Sequence, residues 1–199
     1  MDRTSRTEGN AFVRRGEAWS EASELAPGSY RVRMGGAFRG AWLASLTSRL
    51  AEQQISIDHI HARRTGAELW IAELHLLAAR AAADPLDVDY SALAEQADAA
   101  PLPAFELDSY RLLDSRDYGG TLMLTLEAAD SLGLLGSLLS ELAQLGLFAD
   151  EIHIETRDGR AYDCIWLSAA GGLPPTVLAR DAAVQLLRRS CQTGPLSSR

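Results

Sequence analysis

The chain of 199 residues repeats its own pattern at a spacing of about 92 positions. Few residues are identical between the two copies, but the periods of apolar residues agree in order: alternating, helical, alternating, turn, alternating. The matched segments are 30–34 with 122–126, 43–50 with 135–142, and 58–61 with 150–153. A duplication of this kind requires each half to form the same supersecondary unit, and this constrains the fold more than any other feature of the sequence.

Each copy begins with an alternating strand, followed by a loop with glycine, an amphipathic helix, a hairpin and a second helix. The hairpin turns contain Gly66 and the pair Asp158-Gly159, and Asp-Gly is a strong hairpin signal. One further strand is predicted at 105–112, and it is assigned to the first copy only. The predicted segments are strands 30–34 and 121–127, loops 35–40 and 129–133, outgoing strands 68–77 and 160–167, and second helices 90–97 and 174–189.

This order predicts an α+β fold of two ferredoxin-like (βαββαβ) units, with antiparallel sheets and helices on one face. The predicted domains are an N-terminal extension (1–27, partly flexible), a first unit (28–113), a second unit without its last strand (119–190) and a flexible tail (191–199). In the extension, Phe12, Val13 and Trp19 are spaced to line a short helix. A unit of this size buries too little surface alone, so the two units are expected to pack together.

Composition excludes several classes of function. The sequence contains no lysine, so P-loop NTPases, Schiff-base enzymes and protein kinases are excluded. A net charge of −8 disfavours nucleic acid as a partner. Two cysteines are too few for a disulfide scaffold, and neither a signal sequence nor a membrane-spanning stretch is recognisable. We therefore expect a cytoplasmic protein without membrane contact.

The second copy resembles an ACT domain. The resemblance lies in the strand 121–126, the loop and helix start 130–135, the helix end 142–147 and the hairpin 150–163, about 65 residues in all. The loop Asp130–Gly133 is similar to the family's Asp-Arg-Pro-Gly loop but lacks the Arg-Pro pair. The hairpin and the chain's end after the second helix resemble the C-terminal ACT pair of bifunctional uridylyltransferase/uridylyl-removing enzymes. The length is similar to that of stand-alone double-ACT regulators.

The resemblance implies a regulatory module that binds an amino acid or a related small molecule through the loop between first strand and first helix. The catalytic portions of the uridylyltransferase have no counterpart in these 199 residues, so no catalytic residue and no enzymatic activity are expected. No cofactor is expected either. The predicted ligand-binding residues are Asp130, Ser131, Leu132, Gly133 and Leu134 in the second copy, and Gly35, Gly36 and Arg39 in the first.

Physical chemistry supports these loops as binding elements. Glycine before a helix lets backbone N–H groups approach a ligand, and the helix N-terminus attracts a carboxylate. Asp130 is suited to an ammonium group and Arg39 to a carboxylate. In the alternative interpretation, Asp130 or Ser131 is only the N-cap of the helix, and Gly133 only permits close packing.

Three histidines form the remaining candidate site. His59 and His61 point to one face of a strand, and His75 lies on the neighbouring strand, which together suit a zinc site. His153 recurs at the position of His61 without companions, which favours a role in the fold, and we expect no metal. Cys164, between Tyr162 and Trp166, is predicted to be a small buried apolar residue.

The sequence therefore predicts a non-catalytic regulatory protein that senses a small molecule, with an amino acid as the expected ligand, at the interface of two ACT units. A homodimer and a regulated protein partner are expected. The first alternative is a degenerate ACT pair that acts only as a protein-interaction or oligomerisation module. The second is a metal-dependent enzyme that uses the histidine cluster.

Overall fold

A computed structural model describes residues 17–66, 69–78, 84–96 and 104–191. The elements are, in chain order, β1 Trp19–Ala26, β2 Ser29–Ala37, α1 Trp42–Glu52, β3 Ser56–Arg64, β4 Leu69–Leu77, α2 Tyr90–Glu95, β5 Ser109–Ser115, β6 Thr121–Ala129, α3 Leu134–Gln144, β7 Phe148–Arg157, β8 Arg160–Ser168 and α4 Val177–Ser190. Two short 3₁₀ turns, Asp117–Gly119 and Ala170–Gly172, precede β6 and α4.

The strands of the described residues form one eight-stranded antiparallel sheet with the order β1-β2-β4-β3-β7-β8-β6-β5. The first unit supplies β1 to β4 and the second β5 to β8. The two units meet where β3 pairs with β7, with Ile60 opposite Ile154 and His61 opposite His153. The prediction of an α+β fold with two ferredoxin-like units is confirmed.

Helices α1 and α3 contact each other above the β3–β7 junction. Leu46 and Leu50 of α1 and Leu138 and Leu142 of α3 are completely buried, as the apolar spacing of three and four residues requires. Their side chains share one hydrophobic core with alternate residues of the strands. Burial of both helices against a common sheet therefore joins the units into one body, as expected for units that are too small to bury enough surface alone.

The outer strand of each unit comes from an unexpected part of the chain. In the split βαβ plan the last strand lies beside the first one, but here β1 pairs with β2 and β5 pairs with β6. In each unit, the position expected for the last strand is thus filled by a strand that precedes the unit in the chain. The predicted strand 105–112 is observed as Ser109–Ser115, and its assignment to the first unit is wrong because its partner is in the second.

In the second unit, β5 occupies the place beside β6 that the last strand fills in the split βαβ plan. Trp19 lies in β1, so the predicted N-terminal helix is wrong at this residue, and Phe12 and Val13 lie outside the described residues. Residues 19–26 of the predicted extension are an edge strand of the sheet. In the described part of the chain, no helix has the length and apolar character needed to cross a membrane.

Candidate ligand-binding site at the interface between the units

The loops that precede α1 and α3 lie at opposite ends of the β3–β7 junction, and each loop faces the other unit. The loop before α3 borders a pocket with Ile57 of β3 on its other side. The loop before α1 borders a cleft with Phe148 and Asp150 of β7 on its other side. Two related sites are therefore formed by the duplication, one at each end of the interface.

The first site, here called the Asp130 pocket, is small, about 40 Å³. All five residues predicted from the second copy are in its wall, together with Asp163 of β8. Its lining residues are Thr47, Ala51, Ile55, Ser56, Ile57, Asp130, Ser131, Leu132, Gly133, Leu134, Leu135, Gly136, Ile154, Thr156, Ala161 and Asp163. A volume of this size holds a few water molecules but not an amino acid.

Two carboxyl groups give the Asp130 pocket its charge. Asp163 is only 4% exposed, and neither of its carboxyl oxygens has a hydrogen-bond partner among the described residues. Burial, with a contribution from the charge of Asp130, raises the pKa of Asp163 to about 7. Burial and the charge of Asp58 raise the pKa of Asp130 as well. Ionisation of both groups is thus less favourable than in water.

The helices that begin at the two sites lack side-chain caps. Gly133, at φ 90°, is the N-cap of α3, and Ala41 is the N-cap of α1; neither helix has a side-chain hydrogen bond to its first turn. By contrast, Asp89 caps α2 and Thr176 caps α4. The interpretation of Asp130 or Ser131 as the N-cap of α3 is therefore wrong. The first N–H group of each helix donates to the loop before it, Trp42 N–H to the carbonyl of Arg39 and Leu134 N–H to that of Ser131. The next N–H groups of the first turn, which have no partner within their helices, are suited to an anion.

The second site, here called the Arg64 cleft, has a volume of about 590 Å³, within the range of small-molecule sites. The first unit contributes two aromatic side chains and two arginines, and the second unit contributes Phe148, Asp150 and a glycine turn. Its lining residues are Ala37, Phe38, Arg39, Gly40, Arg64, Trp70, Phe148, Ala149, Asp150, Ser168, Ala169, Ala170, Gly171 and Gly172.

An ion pair across the interface forms the polar side of the Arg64 cleft. Arg64 Nη2 lies 2.7 Å from Asp150 Oδ1, and both side chains are largely buried. Burial raises the pKa of Asp150, while a hydrogen bond from Ser168 and the charge of Arg64 oppose this shift. Asp150 Oδ2 is buried and accepts no hydrogen bond from any described residue. One acceptor atom of the cleft is therefore unsatisfied.

Asp150 owes its position to a β-bulge. The pairing of β7 with β8 shifts register between Ala149 and Glu151, and β3 shifts against β4 between Ile57 and His59. The skipped residues are Asp150 and Asp58, which the duplication also matches to each other. Bulges redirect a side chain out of the normal alternation, and here one of them turns a carboxyl into the interface.

Of the residues predicted from the first copy, only Arg39 borders the cleft, at its exposed rim. Gly35 and Gly36 belong to β2, so their prediction as loop residues is wrong. A Cβ atom at Gly36 would lie 2.6 Å from the Cα of Ala18, and one at Gly35 would lie 2.9 Å from Trp19 Nε1. These glycines let the chain around β1 lie close to β2, and this is a packing role.

Sequence reasoning missed Arg64, Asp150 and Asp163. The match of Asp58 with Asp150 in the two copies was a usable signal for one of them. Asp163 lies in the row of β8 side chains that faces the helices, and the other residues of this row are apolar. The corresponding residue of the first unit is Ala72, because Ala72 pairs with Ala62 of β3 as Asp163 pairs with Ile154 of β7. A carboxyl in a row of apolar residues was the signal for this position.

The histidines lie on the sheet face that the helices leave open, but their grouping differs from the prediction. His61 stacks on His153 with ring centroids 4.4 Å apart, whereas His59 and His75 form a separate pair at 5.7 Å. The expectation that His153 has no companions is therefore wrong. Cys164 is half-buried on the same face, opposite His153.

No protein-family model matches the chain, and no curated protein matches its sequence. Among solved structures, the chain is similar to aspartate kinase from Synechocystis, with a TM-score of 0.46 and 15% sequence identity. The match covers 82% of this chain and 27% of the kinase chain, so this chain spans about a quarter of that protein's length. The class that the topology itself defines is a tandem ferredoxin-like pair with one continuous sheet.

Proposed function

We propose that this chain is a non-catalytic regulatory protein of the tandem ACT type, which binds an amino acid at the interface between its two units. The observation that carries the proposal is the presence of buried, unsatisfied carboxyl oxygens in both interface sites, on Asp150 and Asp163. Buried polar atoms in folded proteins nearly always have a partner. An ammonium group is the partner that suits a carboxyl oxygen best, because it supplies three donors and the opposite charge.

The Arg64 cleft is the main site of this proposal, because its volume is within the range of small-molecule sites. Asp150 Oδ2 is buried in the ligand-free protein, so a local side-chain movement must expose it before it accepts from the ligand's ammonium group, while its second oxygen stays paired with Arg64. Arg39 and the uncapped start of α1 receive the ligand's carboxylate. Phe38, Trp70 and Phe148 border the cleft, and such a wall favours an apolar side chain.

The Asp130 pocket offers similar elements in a smaller volume: two carboxyl groups and the uncapped start of α3. A ligand enters only if the loop 130–133 moves outward. Ligand binding at this end is therefore coupled to a change of loop conformation, which is one way for a sensor to report occupancy.

Regulation in this proposal acts through the junction between the units. A ligand that contacts both units stabilises their mutual arrangement, and a protein partner that prefers this arrangement then binds better in the presence of the ligand. We further propose that the protein acts in the cytoplasm as a homodimer.

A thermal-shift screen of the full chain against the twenty amino acids tests the proposal. At least one amino acid, with an apolar side chain, is expected to raise the melting temperature in a concentration-dependent way, because a ligand that binds only the folded state stabilises it. Arg39→Ala is expected to weaken this response and Asp181→Asn, a change of an exposed residue on α4, to leave it intact. The absence of any response at millimolar concentrations would contradict the sensor function.

An exposed apolar surface favours a second candidate function, a module that acts only in protein interaction or oligomerisation. Leu173, Val177 and Leu178, at the start of α4, are 64%, 75% and 80% exposed. Neighbouring apolar side chains with this exposure are typical of contact surfaces. Light scattering of the wild type and of Leu178→Glu tests this candidate: a dimer that becomes a monomer in the variant, combined with no response to any amino acid, favours the module over the sensor.

A further inference from the structure

A histidine–carboxylate cluster lies on the open face of the sheet, on the opposite side from the ligand sites. His61 comes from β3 of the first unit, and Glu151 and His153 come from β7 of the second. Glu151 Oε1 lies 2.6 Å from His153 Nε2 and 3.4 Å from His61 Nε2. One ligand atom of each side chain lies within 4.8 Å of the others. The cluster therefore bridges the two units.

The direct pairing of His61 with His153 across the junction holds the two rings together. The rings stack at an interplanar angle of 23°, and the indole of Trp166 contacts His153 with its centroid 5.6 Å away. These contacts limit the orientations of His153. Two nitrogen atoms and one carboxylate oxygen thus converge on one point that remains open to solvent on its outer side.

This set of atoms matches the chemistry of a transition-metal site. Two histidines and one glutamate are a known protein ligand set of zinc sites in which the fourth position stays open to water. Tetrahedral coordination at about 2.0–2.1 Å places ligand atoms roughly 3.3 Å apart. The contact of 3.4 Å between Glu151 and His61 is close to this separation, whereas the hydrogen-bonded contact of 2.6 Å between Glu151 and His153 must lengthen. Ring rotation permits this adjustment because both histidine side chains are more than 40% exposed.

We propose that His61, Glu151 and His153 bind one Zn²⁺ ion, with water as the fourth ligand. Both imidazoles bind the ion as neutral rings through Nε2, with their N–H on Nδ1, and the ion takes the place of the hydrogen atom between Glu151 and His153. The site goes beyond amino-acid binding because none of its three residues lines either interface pocket. A metal at this place links β3 to β7 and so fastens the junction from the open face.

The other two histidines of the chain supply matched controls. His59 and His75 lie on the same face, and their rings form a pair with centroids 5.7 Å apart. Among the described residues, the group of ligand atoms close enough for a metal contains His61, Glu151 and His153 but neither His59 nor His75. A change at His59 or His75 therefore removes an imidazole from the same surface without touching the proposed ligands.

The test is a zinc titration of the tag-free full chain, freed of metal beforehand, by calorimetry or against a chromophoric chelator. One Zn²⁺ per chain is expected. His61→Ala, His153→Ala and Glu151→Gln are each expected to weaken binding at least about tenfold, because loss of even an outer-shell partner has effects of this size. His59→Ala and His75→Ala are expected to keep the wild-type affinity within about twofold. Circular dichroism of each metal-free variant confirms that it folds.

Substitution with Co²⁺ gives a second measurement, since its visible absorption is strong in four-coordinate sites and weak in six-coordinate ones. A strong spectrum that is lost in His61→Ala and kept in His75→Ala supports the assignment. The proposal is overturned if the wild type binds no zinc, or if His59→Ala and His75→Ala weaken binding as much as His61→Ala. Either result leaves the amino-acid screen unaffected, so the two proposals fail separately.

Discussion

Arg64 of the first unit and Asp150 of the second are joined by a contact of 2.7 Å between Nη2 and Oδ1. Asp150 is only 2% exposed, so this carboxyl has little access to water and depends on Arg64 and Ser168 for its charge. The pair therefore connects the stability of the fold to the contact between the units, and the same two side chains border the proposed ligand cleft.

Removal of Arg64 is expected to leave a buried charge without its partner. We predict that Arg64→Ala lowers the free energy of unfolding by about 3–5 kcal/mol, the usual cost of breaking a buried ion pair on one side. Arg63→Ala, a change of the exposed neighbour on β3, is expected to cost less than about 0.5 kcal/mol. Urea denaturation measures both. Equal losses for the two variants would contradict the buried-pair account.

Stability is expected to fall as pH rises, because of Asp163. The pKa of this group is about 7 in the folded state, above its ordinary value near 3.8, so the folded protein binds more protons than the unfolded chain between these limits. The free energy of unfolding then decreases from about pH 4 to pH 7 and levels off above, with a contribution from Asp163 on the order of 4 kcal/mol. The raised pKa of Asp130 acts in the same direction.

The variant Asp163→Ala isolates this effect, because alanine already occupies the corresponding place of the first unit at Ala72. We predict that the variant is more stable than the wild type at pH 8 and that its stability varies less between pH 4 and pH 7. Denaturant titrations at several pH values measure this. If the free energy of unfolding of Asp163→Ala depended on pH as it does in the wild type, titratable groups other than Asp163 would cause the dependence, and the prediction would be wrong.

The edge strand β1 depends on glycine in β2. A Cβ at Gly36, where φ is +149°, meets the Ala18 backbone at 2.6 Å, so Gly36→Ala is expected to destabilise the protein by about 1–3 kcal/mol. Gly66→Ala is the control, since a Cβ there is no closer than 3.7 Å to Leu69. Amide hydrogen exchange is expected to increase in 19–26 for Gly36→Ala only. Unchanged protection there would show that β1 does not need this close approach.

Helix α4 begins with a side-chain cap, whereas helix α3 begins without one. Thr176 caps α4 with its hydroxyl, so Thr176→Ala is expected to cost about 1 kcal/mol. Ser131 makes no such bond to α3, whose N-cap is Gly133, and Ser131→Ala is expected to change stability by less than about 0.5 kcal/mol. Thermal or urea unfolding of the ligand-free variants measures the difference. A comparable loss for Ser131→Ala would restore the capping interpretation of that residue.

Local patterns were sufficient to predict the repeated units. The alternation and the helical spacing of leucines are properties of neighbouring residues, and the Asp158-Gly159 turn lies where β7 joins β8. The pairing of β5 with β6 was not predicted, because a short strand between two units suits either neighbour in sequence. The pairing of β1 with β2 was not predicted because the residues of β1 were assigned to the N-terminal extension and not to a strand. The choice is made by the tertiary fold.

The candidate sites were predictable only in part, for a related reason. The loop 130–134 was predicted because glycine before a helix is visible locally. Arg64 meets Asp150, and His61 meets His153, only because β3 pairs with β7 in one register. Sequence periodicity does not fix a register between strands that are far apart in the chain. The polar contacts across the junction therefore needed the structure.

The most direct measurement of the central claim compares the amino acid that emerges from the screen with its analogue that lacks the ammonium group. By calorimetry on the full chain, the wild type is predicted to bind the amino acid at least about tenfold more tightly, because the analogue leaves Asp150 Oδ2 unpaired. Asp150→Asn is predicted to lose most of this preference. Equal affinities of the wild type for the two compounds, or an unchanged preference in Asp150→Asn, would contradict the account.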